Sequence, residues 1–206
     1  MKLQFRNQLI NGLQNLTVSE DLSDQSITSW ASSLSLLTAN PIELSSNSAL
    51  IATTLALNII NAASSKGLSY DQVARLVDVA DAVISVPDPV LLVGKRRRLL
   101  LSLSTVRFDS IVVDSYGTFA TQTMAVGQKS IEFVKSNFRL SIHLLSIVPG
   151  ENVSVSTPLS GLEQLHNVMP SIIRYRSKIG GTLNMTLRQT NGRQTNLIKY
   201  FLFFLF

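Results

Sequence analysis

The apolar residues of this chain change their spacing near Gly127, and that change limits the available folds more than any other feature. Before it they recur every three or four residues, the period of a helix with one buried face. After it they recur every second residue, the period of a strand. Helices that precede strands, rather than alternate with them, predict an α+β fold: an N-terminal antiparallel helical bundle followed by a partial antiparallel β-sandwich. The spacing divides the chain into a helical part over 1–126, a sandwich part over 127–196 and an apolar tail over 197–206.

The helical part is well punctuated. In "LSYDQVARLVDVADAVISV", Tyr70, Val73, Val77, Ala80 and Ile84 make one face, and Asp71, Arg75, Asp78 and Asp81 the other. Ser69 and Gln72 have the spacing of a capping box, with Leu68 and Val73 placed to pack as a hydrophobic staple. Leu22-Ser23 and Leu44-Ser45 repeat one start signal, an apolar residue just before a serine cap. The helix from Ser23 carries Ile27, Trp30, Ala31, Leu34 and Leu37 on one face, and Pro41 ends it by Asn40. The next, from about Ser46 to Lys66, is apolar nearly all round through Leu50, Ile51, Leu55, Leu57, Ile59 and Ile60. It is expected inside the bundle, with Gly67 as a left-handed cap. "VPDPV" breaks the chain again, and one or two further helices run to about Ala125.

In the sandwich part, Phe138, Leu140, Ile142 and Leu144 alternate with Arg139, Ser141 and His143. Leu183, Met185 and Leu187 read as inward, with Thr182, Asn184 and Thr186 outward. About five strands fit between Lys129 and Arg188. A full sandwich uses seven or more, so "LIKYFLFFLF" is expected to add an irregular last strand or to hang free.

Composition excludes little. The chain has no cysteine, which removes disulfides, thiolate metal sites and cysteine nucleophiles but fixes no compartment. The net charge of +5 is concentrated in Lys95, Arg96, Arg97 and Arg98, and in Arg174, Arg176 and Lys178, so no basic face runs along the protein. "MKLQFRNQLINGLQNL" lacks the unbroken apolar core of a signal peptide, and the apolar tail is too short to span a bilayer. No signal peptide and no transmembrane helix is therefore expected.

Candidate chemistry is sparse. His143 and His166 are the two imidazoles, and His143, on the polar side of its strand, reads as a solvent-facing structural residue. Asp78 and Asp81 lie three apart on a helix, too few ligands for a metal site. No phosphate-binding glycine loop or nucleophile elbow occurs, and no enzyme, cofactor or metal is expected. Lys95 to Arg98 reads first as a solvated turn of helix between leucine-rich stretches, and otherwise as a nuclear address or a patch that contacts the phosphates of a membrane or nucleic acid, or another acidic partner. Nucleic-acid binding is disfavoured, because no aromatic or amide readers accompany the run. Asn15, Asn152 and Asn184 head N-glycosylation acceptor triplets. Thirteen asparagines in a chain about one-fifth serine and threonine yield that many by chance, so only their placement is informative.

"LQNLTVSEDLSDQSITSWASSLSLLTANPIELSSNSALIATTLALNII" resembles the helical segment of the receptor-for-egg-jelly module of polycystin-like proteins. "MAVGQKSIEFVKSNFRLSI" is similar to that family's passage from last helix to first strands, and "VSVSTPLSGLEQL" to a stretch that follows. The order matches the related GAIN architecture of adhesion receptors, a helical subdomain before a β-sandwich. The resemblance implies a non-enzymatic module on the extracellular side of a membrane, partnered by the remainder of a larger membrane protein and carrying glycans. Self-cleaving members have His-Leu followed by Ser or Thr, with cysteines and tryptophan nearby. Here the nearest string, His143-Leu144-Leu145-Ser146, is out of register and in the wrong strand, so no family site residue carries over. The rival reading is an intracellular helical scaffold that binds an acidic partner through residues 95–98.

Overall fold

A computed structural model describes residues 2–86, 98–148, 150–170, 172–176, 181–190 and 201–203. The fold is α+β. Two compact units, Met1–Phe119 and Ala120–Phe206, divide inside the last turns of a helix.

The first unit is built from α1 (Lys2–Ser19), α2 (Asp24–Thr38), α3 (Ser46–Lys66), α4 (Leu76–Ile84) and the start of α5 (Arg98–Thr123). Local rules set most of these boundaries. Ser23 and Ser45 cap α2 and α3, each hydroxyl accepting from the amide three residues on. Leu44 is buried before the second cap, whereas Leu22 is 47% exposed, so only α3 has its apolar lead-in packed. Gly67 closes α3 at φ 66°, a left-handed conformation that costs glycine nothing. The face expected for α2 is buried at Ile27, Trp30, Ala31 and Leu34. Trp30 Nε1 donates to Glu20 at 2.7 Å, which fastens the α1–α2 turn.

Two expectations change. The segment from Ser69 is not one helix but a 3-10 turn, Tyr70–Val73, followed by α4. The capping box forms, with Ser69 N donating to Gln72 Oε1 at 2.9 Å, and Leu68 and Val73 are buried. In an α-helix the Tyr70 carbonyl would accept from Ala74 N. That amide bonds Asp71 O instead, and the Tyr70 carbonyl accepts from the Tyr116 hydroxyl of α5 at 3.1 Å. Second, α3 is not buried all round. Ala49, Ala52, Leu55, Ala56, Ile59, Ile60 and Ala63 form its buried face against α1, α2 and α4, while Leu50 is 44% exposed. Among the described residues α3 alone is long and apolar enough to cross a membrane, and half of its most apolar window is buried within the protein.

Helix α1 buries Ile10 and Leu13. Arg6 ties it down by donating to Glu43 at 2.8 Å and to the Leu37 carbonyl at 2.7 Å, one of the carbonyls α2 leaves open at its end. Gly12 is exposed in the helix interior, where a glycine costs about 0.5–1 kcal/mol relative to alanine. Among the described residues a Cβ there meets nothing within 4 Å.

The second unit holds β1 (Ile131–Val134), β2 (Phe138–Ile147), β3 (Asn152–Ser156), the short α6 (Gly161–Leu165), β4 (Ile172–Arg176), β5 (Gly181–Thr190) and β6 (Phe201–Phe203). Antiparallel pairing makes one sheet in the order β1-β2-β5-β6 and a second of β3 and β4. The five strands expected up to Arg188 are present, and the tail contributes β6 as an edge strand on β5. Ile147, Leu183, Met185 and Leu187 pack with Val155 into the core of this unit.

The β2–β5 register corrects the faces. Residues paired across an antiparallel ladder point the same way. Leu183 pairs with Leu145, Met185 with His143 and Leu187 with Ser141, while Leu140 and Ile142 pair with Arg188 and Thr186. The apolar stripes of β2 and β5 therefore lie on opposite faces of one sheet. Both faces are covered: Phe138, Leu140 and Ile142 are at most 1% exposed, as are Leu183 and Met185. Thr182 and Thr186 are accordingly half-buried rather than outward-facing.

Leu55 is 1% exposed and Leu50 lies on the open side of the same helix. Leu55→Ala should destabilise the helical unit by about 2–5 kcal/mol, and Leu50→Ala by less than about 0.5 kcal/mol. Urea titration followed by fluorescence of Trp30, the single tryptophan, measures both.

Candidate functional site

The register gathers polar side chains where alternation alone predicts solvent. Arg139, Ser141 and His143 share the face of β2 that carries Leu145 and Ile147. Ser141 is 0% exposed, and its Oγ lies 2.6 Å from Nε2 of His143. His143 is half-buried, not solvent-facing as its strand position suggested. Glu132 of β1 sits opposite Ser141 in the ladder and accepts from Ser130 Oγ at 2.8 Å. Burial holds the His143 ring below the ordinary histidine pKa, and the Glu132 charge pulls the other way. Burial thus favours the neutral imidazole, in which one ring nitrogen donates and the other accepts.

A second group adjoins it in the chain. Arg139 is ion-paired to Glu163 of α6. Ser160 accepts from the Glu163 amide, and Glu163 accepts back from Ser160 N at 2.9 Å and Ser160 Oγ at 2.8 Å. The Ser160 bonds, then Arg139, hold the Glu163 carboxyl below the usual carboxylate range. Glu163 is drawn toward β2, so α6 turns Leu162 and Leu165 outward, 70% and 78% exposed.

Chemically, a serine oxygen against a histidine nitrogen has the spacing of a nucleophile and its base. Here Ser141 has no surface for a reacting atom to approach, and the pair satisfies two polar groups that would otherwise be buried unbonded. Sequence reading missed this cluster. Serine and histidine two residues apart on an alternating strand was the available signal, and the partner strand's register decided its meaning.

The other candidate residues are scattered. Asn15 is exposed on α1, with the Thr17 hydroxyl of its triplet donating to the Gln14 carbonyl. Asn152 is exposed at the start of β3, with Ser154 exposed beside it. The backbone of Asn184 pairs with Leu144, and its side chain lies outside the described residues. Lys95, Arg96 and Arg97 also lie outside them, as does the side chain of Arg98. Asp78 and Asp81 are half-buried on α4, and His166 is exposed just after α6. Among the described residues no three of His, Asp or Glu gather as a metal site. No protein-family model and no curated protein matches the chain.

The His143 pKa has a testable sign. An imidazole whose folded pKa lies below its unfolded value of about 6.5 stabilises the fold fully above that value, and the contribution is lost as pH falls below it. Proton NMR titration should place His143 below about 6.5. Glu132→Gln should lower it further, because the glutamate charge is the one influence that raises it. An upward shift in that variant would contradict the assignment.

Proposed function

We propose that the chain is a non-enzymatic, extracellular, juxtamembrane module of a polycystin- or egg-jelly-receptor-like membrane protein, acting in adhesion or in passing force and signals toward the membrane. The observation that carries this reading is the order of its two units: a capped helical bundle first, then two antiparallel sheets with a shared apolar core. That order is the one implied by the strings resembling the egg-jelly-receptor module. The Ser141–His143 pair, the obvious chemical grouping, is closed to substrate, which favours a mechanical or adhesive role over a catalytic one. Its partners in this role are the rest of a larger membrane protein and glycans, and no cofactor enters.

Asn152 offers the test. It is exposed at the first position of a strand, where a sugar meets water rather than a packed neighbour. Expressed behind a secretory leader in cultured animal cells, the chain should be released folded and carry a glycosidase-sensitive glycan that Asn152→Gln removes. Retention of an unglycosylated chain, together with nuclear or cytosolic accumulation that depends on Lys95 to Arg98, would favour the intracellular scaffold instead.

A further inference from the structure

We infer that α1 is a self-association surface that pairs antiparallel with α1 of a second copy of this chain. Three observations on the helix converge. Phe5, Leu9, Gly12 and Leu16 follow one another at spacings of four, three and four, so they form one stripe along it. The stripe faces outward, at 60% for Phe5, 40% for Leu9 and 48% for Leu16, beside the separate buried face of Ile10 and Leu13. Polar residues border it, including Gln8 and Asn15, as a rim borders an interface core.

Gly12 supplies the steric argument. Among the described residues nothing requires a glycine there, since a Cβ meets open space and the backbone is helical. A second helix crossing closely gains from one, because a missing side chain lets the backbones approach. With α1 antiparallel to itself about a two-fold axis between residues 10 and 11, Phe5 faces Leu16 of the other copy, and Leu9 enters the notch over its Gly12. The contact is self-complementary, as a two-fold interface must be.

Charge selects the antiparallel arrangement. The exposed end of α1 carries Lys2, whose side chain is 84% exposed and loosely paired with its own Glu43 at 3.5 Å. The other end runs into Glu20, Asp21 and Asp24, all exposed. Antiparallel pairing brings Lys2 beside the Glu20–Asp21 end of the second copy and opposes the helix dipoles. Parallel pairing would stack Lys2 on Lys2 and acid on acid. One helix stripe is smaller than a standard interface and belongs with the weak, reversible contacts.

The absence of native cysteine makes the test direct. A disulfide needs Cα atoms about 4.4–6.8 Å apart. In the antiparallel pair, Phe5 of the two copies stand about 16 Å apart along the axis at 1.5 Å per residue, whereas Phe5 and Leu16 face each other. Mild oxidation of a mixture of Phe5→Cys and Leu16→Cys chains should therefore give the mixed disulfide well above either symmetric one. The unmodified full chain should move from monomer toward dimer in sedimentation velocity between about 1 µM and 300 µM. Leu9→Asp, an exposed site that leaves the helix intact by circular dichroism, should weaken the dimer about tenfold or more. Predominant symmetric disulfides, a dimer indifferent to Leu9→Asp, or a monomer across the whole range would each overturn the inference.

Discussion

The ten residue pairs of the β2–β5 ladder govern the second unit. Side-chain direction in a strand alternates with period two, so a slip of one residue would reverse every pairing of faces. As paired, the ladder sets Ser141 and His143 among Leu187 and Met185, Glu132 beside Ser141, and Arg139 on the side from which α6 supplies Glu163. A polar group enters a packed layer at a cost unless it is bonded. The Ser141–His143 contact and the Arg139–Glu163 pair meet that condition within the same strand face. Specific pairing and satisfied polar groups thus depend on one another, and neither survives a shifted ladder.

In the helical unit the corresponding role falls to Arg6. Its guanidinium reaches Glu43 and the carbonyls of Leu36 and Leu37, so one side chain joins α1, the end of α2 and the turn before α3. The Leu37 carbonyl is one of those every helix leaves without an intrahelical partner at its C-terminus, while the Leu36 carbonyl also accepts from Ala39 N at 3.4 Å. Glu43 is held below its ordinary pKa chiefly by the Arg6 bond, with Lys2 adding to the effect. The caps at Ser23 and Ser45 start the helices, and Arg6 determines how their ends meet.

What could be read from residues alone follows the range of the interactions involved. Ser23, Ser45 and Gly67 act on amides and carbonyls a few residues away, and their roles were legible. The α+β order was legible because a period of 3.6 and a period of 2 each show within a single segment. The 3-10 turn at Tyr70 was not, because the hydroxyl that bonds its carbonyl lies 46 residues further on. The all-round apolar character of α3 was plain, but which side stays open depends on neighbours, so Leu50 could not be told from Leu55. The alternation of β2 was plain as well, yet alternation names two faces without saying which one meets the apolar side of β5. His143 was misplaced for that reason. Glu163 facing inward while Leu162 and Leu165 face outward was hidden similarly, since only the fold brings Arg139 to it.

The path of the chain through the two sheets bears on how the unit folds. Ile147 and Gly181 are neighbours in the ladder, so β3, α6 and β4 fall in sequence between two strands that meet at a single point of the larger sheet. Closing the loop between them is entropically slow, though lengthening it further adds little cost. The long β2–β5 ladder must therefore form across a wide sequence gap, while among the described residues β3 and β4 pair only with each other. Opening of the smaller sheet about the Ile147–Gly181 pair would expose the Val155 side of the core while leaving the β2–β5 pairing intact. Amide exchange in β3 and β4 would then outpace exchange in β2, a hierarchy of opening set by connectivity rather than by composition.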